Sequence, residues 1–154
     1  MIEEGLELKE ACLEHCSHLL ADQLATLSSS LESIRGSRSS ETKSSAGDKF
    51  ETGRAMLQLE ENNLKQQLAA ALETRRLLDQ AHRSTTGDRI AHGNLVATNR
   101  GIYLLAAGFG KIKVKTRDVF CISPGSPIGR RLLGKIAGEA FLFNEVRFQV
   151  LGFV

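Results

Sequence analysis

The sequence predicts an α+β protein: a long antiparallel α-helical coiled-coil hairpin, then a small antiparallel β-sheet domain with one short helix. Three observations predict it. Apolar residues recur every seventh position through the first half of the chain, with one Ser-rich polar interruption at 36–48. After residue 86 the pattern becomes short alternating runs divided by glycines, and 10 of the 14 glycines lie there, as the turns of a sheet require. The charge splits at the same place. Residues 1–86 hold 14 Asp/Glu and 10 Lys/Arg, a net of −4, whereas 87–154 hold 4 and 10, a net of +6. The overall +2 therefore conceals two modules, a hairpin at 1–84 with its tip loop near 36–48 and a second domain at 85–154.

In the first helix Leu6, Leu13, Leu20, Leu27 and Ile34 are spaced by seven, with Leu24 and Leu31 interleaved. That spacing lays an apolar seam along one face, and Gly36 reads as its stop. The polar run GSRSSETKSSAGD has no apolar period and reads as the loop. A second helix is predicted over 48–83, seamed by Phe50, Leu57, Leu64, Leu68, Ala71 and Leu78. Two such helices of about 35 residues form a rod on the order of 50 Å long, with no enclosed pocket. Strands are predicted at 95–98, 101–106, 111–115, 119–122, 140–143 and 147–154. The one helix in this half is predicted over 126–135, with Ser126 as N-cap, Pro127 at the first helical position and Gly134 near the end.

At 154 residues the chain is too short for a large self-contained enzyme. Aromatics at 5% with no Trp argue against a base-stacking nucleic-acid surface. No apolar run reaches the roughly 20 residues that span a bilayer. The acidic start at Glu3 and Glu4 is unlike a secretory leader, and three cysteines are an odd number, so reduced thiols in a cytoplasmic protein are expected. Cys12, His15, Cys16 and His18 fall within seven residues, but His18 lies about 200° around the helix from Cys16, and a closed metal site needs four convergent ligands. Cys16 is better read as a seam residue between Leu13 and Leu20. Cys121 stands in the apolar run Val119–Ile122 and reads as a buried strand residue rather than a nucleophile.

Asp48 and Glu51 support two readings. Asp48 as N-cap with Glu51 three residues on has capping-box spacing. Two carboxylates one turn apart at the end of a rod also suit a divalent cation such as Mg²⁺, which takes one or two protein carboxylates and fills the rest with water and substrate oxygens. A rod encloses no cation, so such a pair would complete a site inside a partner.

Residues 122–139 supply a more specific signal. Ile122-Ser123-Pro124-Gly125-Ser126-Pro127-Ile128-Gly129, continued by Leu132-Leu133-Gly134-Lys135 and Gly138-Glu139, resembles the hallmark "I-S-x-x-S-P-I-G-x-x-L-L-G-K-x-x-G-D" of the Gre transcript-cleavage factors. Glu139 replaces the usual Asp. Gly47-Asp48-Lys49-Phe50-Glu51 is similar to the tip of that family's N-terminal hairpin, "G-D-L-x-E-N-A-E-Y". The following Thr52-Gly53-Arg54-Ala55 departs from it and puts Arg54 where the family carries an acid.

The resemblance implies an FKBP-like C-terminal domain that docks on bacterial RNA polymerase beside its secondary channel, while the hairpin enters the channel. It implies that Asp48 and Glu51 help hold a Mg²⁺ shared with the polymerase, as the metal and catalytic residues for cleavage of a backtracked transcript. The chain would then be no independent enzyme. It would be a monomer that stimulates the polymerase's nuclease, binds no Mg²⁺ stably by itself, meets nucleic acid only at the RNA 3′ end in the channel, and contacts no membrane. Ser123, Pro124, Ser126, Pro127 and Gly129 are the candidate polymerase-docking residues. Two alternatives remain open: a channel-binding regulator without cleavage, and an FKBP-like prolyl isomerase or chaperone. Against the latter, Phe141, Phe143 and Phe148 alternate as core strand residues do.

Overall fold

The computed structural model describes residues 2–41 and 47–154; the side chains of 38–41 and 47–50 are outside the description. The chain is α+β. Two long helices, α1 (Ile2–Glu41) and α2 (Gly47–His82), form the hairpin. They are followed by β1 (Leu95–Thr98), β2 (Gly101–Leu105), β3 (Gly110–Val114), β4 (Arg117–Ile122), α3 (Pro127–Leu132), β5 (Ala140–Phe143) and β6 (Val146–Phe153). No helix among the described residues is long and apolar enough to cross a membrane.

Two compact units result, Leu19–Glu73 on one hand and Met1–His18 with Thr74–Val154 on the other. In the first, Leu20, Leu27, Leu31 and Ile34 are buried along α1, and Ala71 along α2. Leu24, Leu57, Leu64 and Leu68 are half-buried. The expected seam therefore exists, with one addition. Glu61 occupies a seam position between Leu57 and Leu64, and its side chain is only 4% exposed. Its Oε1 lies 3.2 Å from Lys65 Nζ on the same helix and 3.9 Å from Arg35 Nε across the hairpin. A polar group at such a position favours one register over its neighbours, because a slip carries Lys65 along with Glu61 but takes the buried carboxylate away from Arg35.

The expected stop at Gly36 is not observed. α1 continues to Glu41 and α2 begins at Gly47, so helix occupies both ends of the stretch expected as loop. A lone mid-helix Gly costs roughly 1 kcal/mol relative to Ala, which a long packed helix absorbs. Asp48 accordingly lies in the first turn of α2, one position inside the helix rather than ahead of it as the N-cap.

In the second unit the six strands form one sheet in the order β3-β4-β2-β1-β6-β5. Every neighbouring pair is antiparallel except β2 and β4, which run parallel with Leu104 opposite Cys121. The sheet is therefore mixed where alternation suggested an antiparallel one, because alternation reveals which face a residue takes but not strand direction. The chain passes β4's place, forms β3, and turns back through Lys115–Thr116 so that β4 slots between β3 and β2. That turn and Asn144–Glu145 have both central residues at positive φ (50° and 65°, then 48° and 65°), the twist that two-residue hairpin turns require.

The sheet buries both faces. Val96, Leu105, Phe141, Phe148 and Val150 pack with Leu132 of α3 and Ile90 of the linker on one side. On the other side β4 presents Val119 and Cys121 toward the start of α1. Cys121 meets Cys16 there, and Val154 lies against Gly5. This explains one departure from the seam. Leu6 is 42% exposed, while Leu8, Cys12, Leu13 and Cys16 are buried, because this stretch of α1 also packs on a sheet.

Candidate functional site

The motif segment builds a rigid corner. β4 ends at Ile122 and the chain turns through Ser123-Pro124-Gly125. Ser126, in extended backbone, then caps α3. Its Oγ accepts from Gly129 N (3.1 Å) and donates to Ser123 O (2.7 Å), and its backbone N donates to the same Ser123 oxygen (3.1 Å). One side chain thus ties the turn to the first helical turn, satisfying an N–H that a helix start otherwise leaves open. Pro127 follows at a position that needs no N–H donor.

Gly129 is required by space rather than by its dihedrals. A Cβ there would run into the Ser123 carbonyl oxygen and stand 2.8 Å from Ser126 Oγ. Gly134 at φ +81° and Gly138 at φ +92° serve turns instead. Glu139 Oε2 accepts from Ile136 N at 2.7 Å, so the acid that closes the motif pins the turn after α3. α3 ends at Leu132, three residues before the predicted end. The linker is the cause: Gly134 N donates to Ile90 O and Ile90 N donates to Lys135 O, both at 2.8 Å, pulling the chain out of helix.

Of the five docking candidates, Pro127 is exposed, Ser123, Pro124 and Ser126 are half-buried, and Gly129 is buried. The corner gathers them in one place. It presents Pro127 with the exposed Arg130 and Arg131 beside it, giving a basic, pre-shaped surface. Arg131 and Lys135 lie over the Phe141 ring, 5.4 Å and 5.7 Å from its centroid. Phe141 in turn stacks on Phe148 at 5.4 Å, and Phe143 meets Phe148 edge-on. These rings fill the core face. On the same face Tyr103 stacks on Phe120 at 5.2 Å, and partial burial raises the Tyr103 phenol above its ordinary value.

The tip acids lie on α2, Asp48 in its first turn and Glu51 three positions on. Glu51 is exposed, and the Asp48 side chain lies outside the described residues. Among the described residues no three His, Cys, Asp or Glu side chains converge as metal donors. Near the other end of α1, Cys12 and Cys16 are buried while His15 and His18 are exposed, so those four point to different environments.

Sequence reasoning missed two features. Buried Glu61 was hidden among many exposed acids, although its seam position was readable. The approach of Cys16 to Cys121 joins residues 105 apart and leaves no local signature. No protein-family model matches the chain, and no curated protein matches it.

Proposed function

We propose that this protein is a Gre-like factor that acts on bacterial RNA polymerase in the cytoplasm, entering the secondary channel with its hairpin and promoting cleavage of backtracked transcripts. One observation carries the reading. The 122–139 motif occurs in the same chain as a helical hairpin whose second helix opens with Asp48 and Glu51. In this reading the capped corner at Ser123–Gly129 docks on the polymerase. Its preformed shape limits the ordering that binding demands, since Ser126 already holds the turn. The basic corner and the acidic hairpin orient the encounter more than they add affinity.

At the tip, Asp48 and Glu51 would hold Mg²⁺ together with polymerase groups. When bound, that cation supplies a polarised water for phosphodiester hydrolysis. The chain's own contribution is to carry two carboxylates to the site on a stiff support. The test is a stalled, backtracked polymerase complex given this protein and Mg²⁺, with transcript length as the readout. Shortened transcripts are expected, and Asp48→Ala with Glu51→Ala should abolish them. Cleavage that survives the double substitution refutes the tip-acid mechanism.

A second reading, a channel-occupying regulator without cleavage, is favoured by Arg54, which sits one helical turn beyond Glu51 and brings positive charge to the acid pair. It predicts no shortened transcripts but competition with a known secondary-channel binder.

A further inference from the structure

All three cysteines of the chain lie at the packing of α1 on β4. Cys12 and Cys16 stand one turn apart on α1, Cys121 is on β4, and their exposures are 0%, 0% and 1%. The three are free thiols. Cys16 Sγ and Cys121 Sγ are 3.6 Å apart, in thiol–thiol hydrogen-bond contact.

A buried cysteine is ordinarily a small apolar filler, and Cys12 fits that description. Cys16 and Cys121 differ because each finds the other's sulfur across two elements far apart in sequence. Closing from 3.6 Å to a bond of about 2.05 Å requires about 1.5 Å of relative movement, small enough for side-chain rotation with slight adjustment of α1. The pair is also electronically unequal. Contact with Cys121 holds the Cys16 thiol below its ordinary value despite burial, whereas the same contact together with burial pushes Cys121 up. Burial, with Cys16 nearby, pushes Cys12 up to about 11. A thiolate formed at either sulfur, taken below as Cys16, is hydrogen-bonded by the other thiol at 3.6 Å.

We propose that Cys16 and Cys121 form a redox modification site, which a hydroperoxide converts to a disulfide that clamps α1 onto β4. The Cys16 thiolate attacks the terminal oxygen of the hydroperoxide and the O–O bond breaks. The alcohol, or water from hydrogen peroxide, leaves with the proton that Cys16 gave up, and Cys16 becomes a sulfenic acid. The Cys121 sulfur then attacks the Cys16 sulfur, the S–O bond breaks, and hydroxide leaves with the Cys121 proton as water. Two thiols lose two electrons in all, and one peroxide is reduced. Burial makes entry of the peroxide the slow step, which depends on transient opening of α1 from the sheet. Once formed, the bond closes a loop of about 105 residues and removes much of the freedom of the unfolded chain.

The protein should be exposed to hydrogen peroxide under native conditions, freed of peroxide, unfolded in denaturant with alkylating agent present, digested, and mapped by mass spectrometry without reductant. A Cys16–Cys121 linked peptide lighter by two hydrogens is expected, reversed by dithiothreitol, with Cys12 still alkylatable. The Tm followed at Tyr103 should rise by roughly 5–10 °C. Cys12→Ala should retain the link. Cys121→Ala should lose it and leave Cys16 as a sulfenic acid that dimedone traps. The proposal is overturned if wild-type protein keeps all three thiols free, if the link contains Cys12, if it forms only between chains, or if the linked protein melts no higher. The wild-type mapping decides even where a variant fails to fold.

Discussion

The same substitution, Gly to Ala in a helix, should have opposite signs at two places in this protein. At Gly36 nothing lies within 4 Å of the added Cβ, and the residue sits within α1. Ala there removes the helix penalty of Gly and should stabilise by about 0.5–1 kcal/mol. At Gly129 the helical gain is similar, but the methyl meets the Ser123 carbonyl oxygen and stands 2.8 Å from Ser126 Oγ and 3.0 Å from the Pro124 carbonyl oxygen. Two of these contacts are backbone and cannot swing away. Overpacking of this kind costs about 1–3 kcal/mol, and displacement of Ser126 forfeits a cap worth about 1 kcal/mol. Set against the helical gain, the net is a destabilisation of about 1–3 kcal/mol. The protein has one Tyr and no Trp, so Tyr103 fluorescence in urea follows the sheet-containing unit, while far-UV dichroism follows mainly the helices. Gly129→Ala should lower the urea midpoint read by Tyr103, and Gly36→Ala should raise the helical one. Ser126→Ala serves as a control, losing the cap without the clash, at about 1 kcal/mol. An unchanged or raised Tyr103 midpoint in Gly129→Ala would refute the account of the corner.

Other predictions concern single contacts. Glu61→Lys places a third cation at a buried position between Arg35 and Lys65 and should cost about 3 kcal/mol or more in the helical transition. Asn94 is fully buried; its Oδ1 accepts from Ala91 N at 2.7 Å and its Nδ2 donates to Val154 O at 3.2 Å. Asn94→Ala strips Ala91 N of that acceptor and should cost about 2–3 kcal/mol in the Tyr103 transition. Cys12 keeps its proton to about 11 in the folded state, against 9.0 ordinarily. Its stabilising contribution is therefore complete below pH 9 and lost as pH rises through 11, so Cys12→Ala should flatten the alkaline limb of stability measured over pH 8–11. Pro127 is exposed at the start of α3. Pro127→Ala should change stability by under about 1 kcal/mol; if the protein acts on polymerase as proposed, the substitution should also weaken binding about tenfold in a competition assay, and unchanged binding would remove Pro127 from the proposed docking surface.

Much of this molecule was legible in its sequence. The sevenfold spacing from Leu13 to Ile34 implied a packed helix, because helical geometry brings such residues to one face whatever surrounds them. Alternation located all six strands to within about two residues, and the Ser126-Pro127 pair marked the start of α3, since caps are chemistry between neighbours. These are properties of adjacent residues, and neighbouring residues are what a sequence displays. The spacing of Asp48 and Glu51 was also readable, but spacing does not distinguish capping from cation binding.

What only the tertiary structure decided involves partners far apart along the chain. Ile90, not any residue of α3, ends that helix by pairing with Gly134 and Lys135. The parallel placement of β4 beside β2 depends on how β3 turns back, which alternation does not encode. Leu6 is exposed and Cys12 buried because α1 packs against a sheet as well as a helix there, and a heptad anticipates only the helix. Cys16 meets Cys121 for the same reason: each is apolar filler by local pattern, and only the packing of α1 on β4 makes the two a pair.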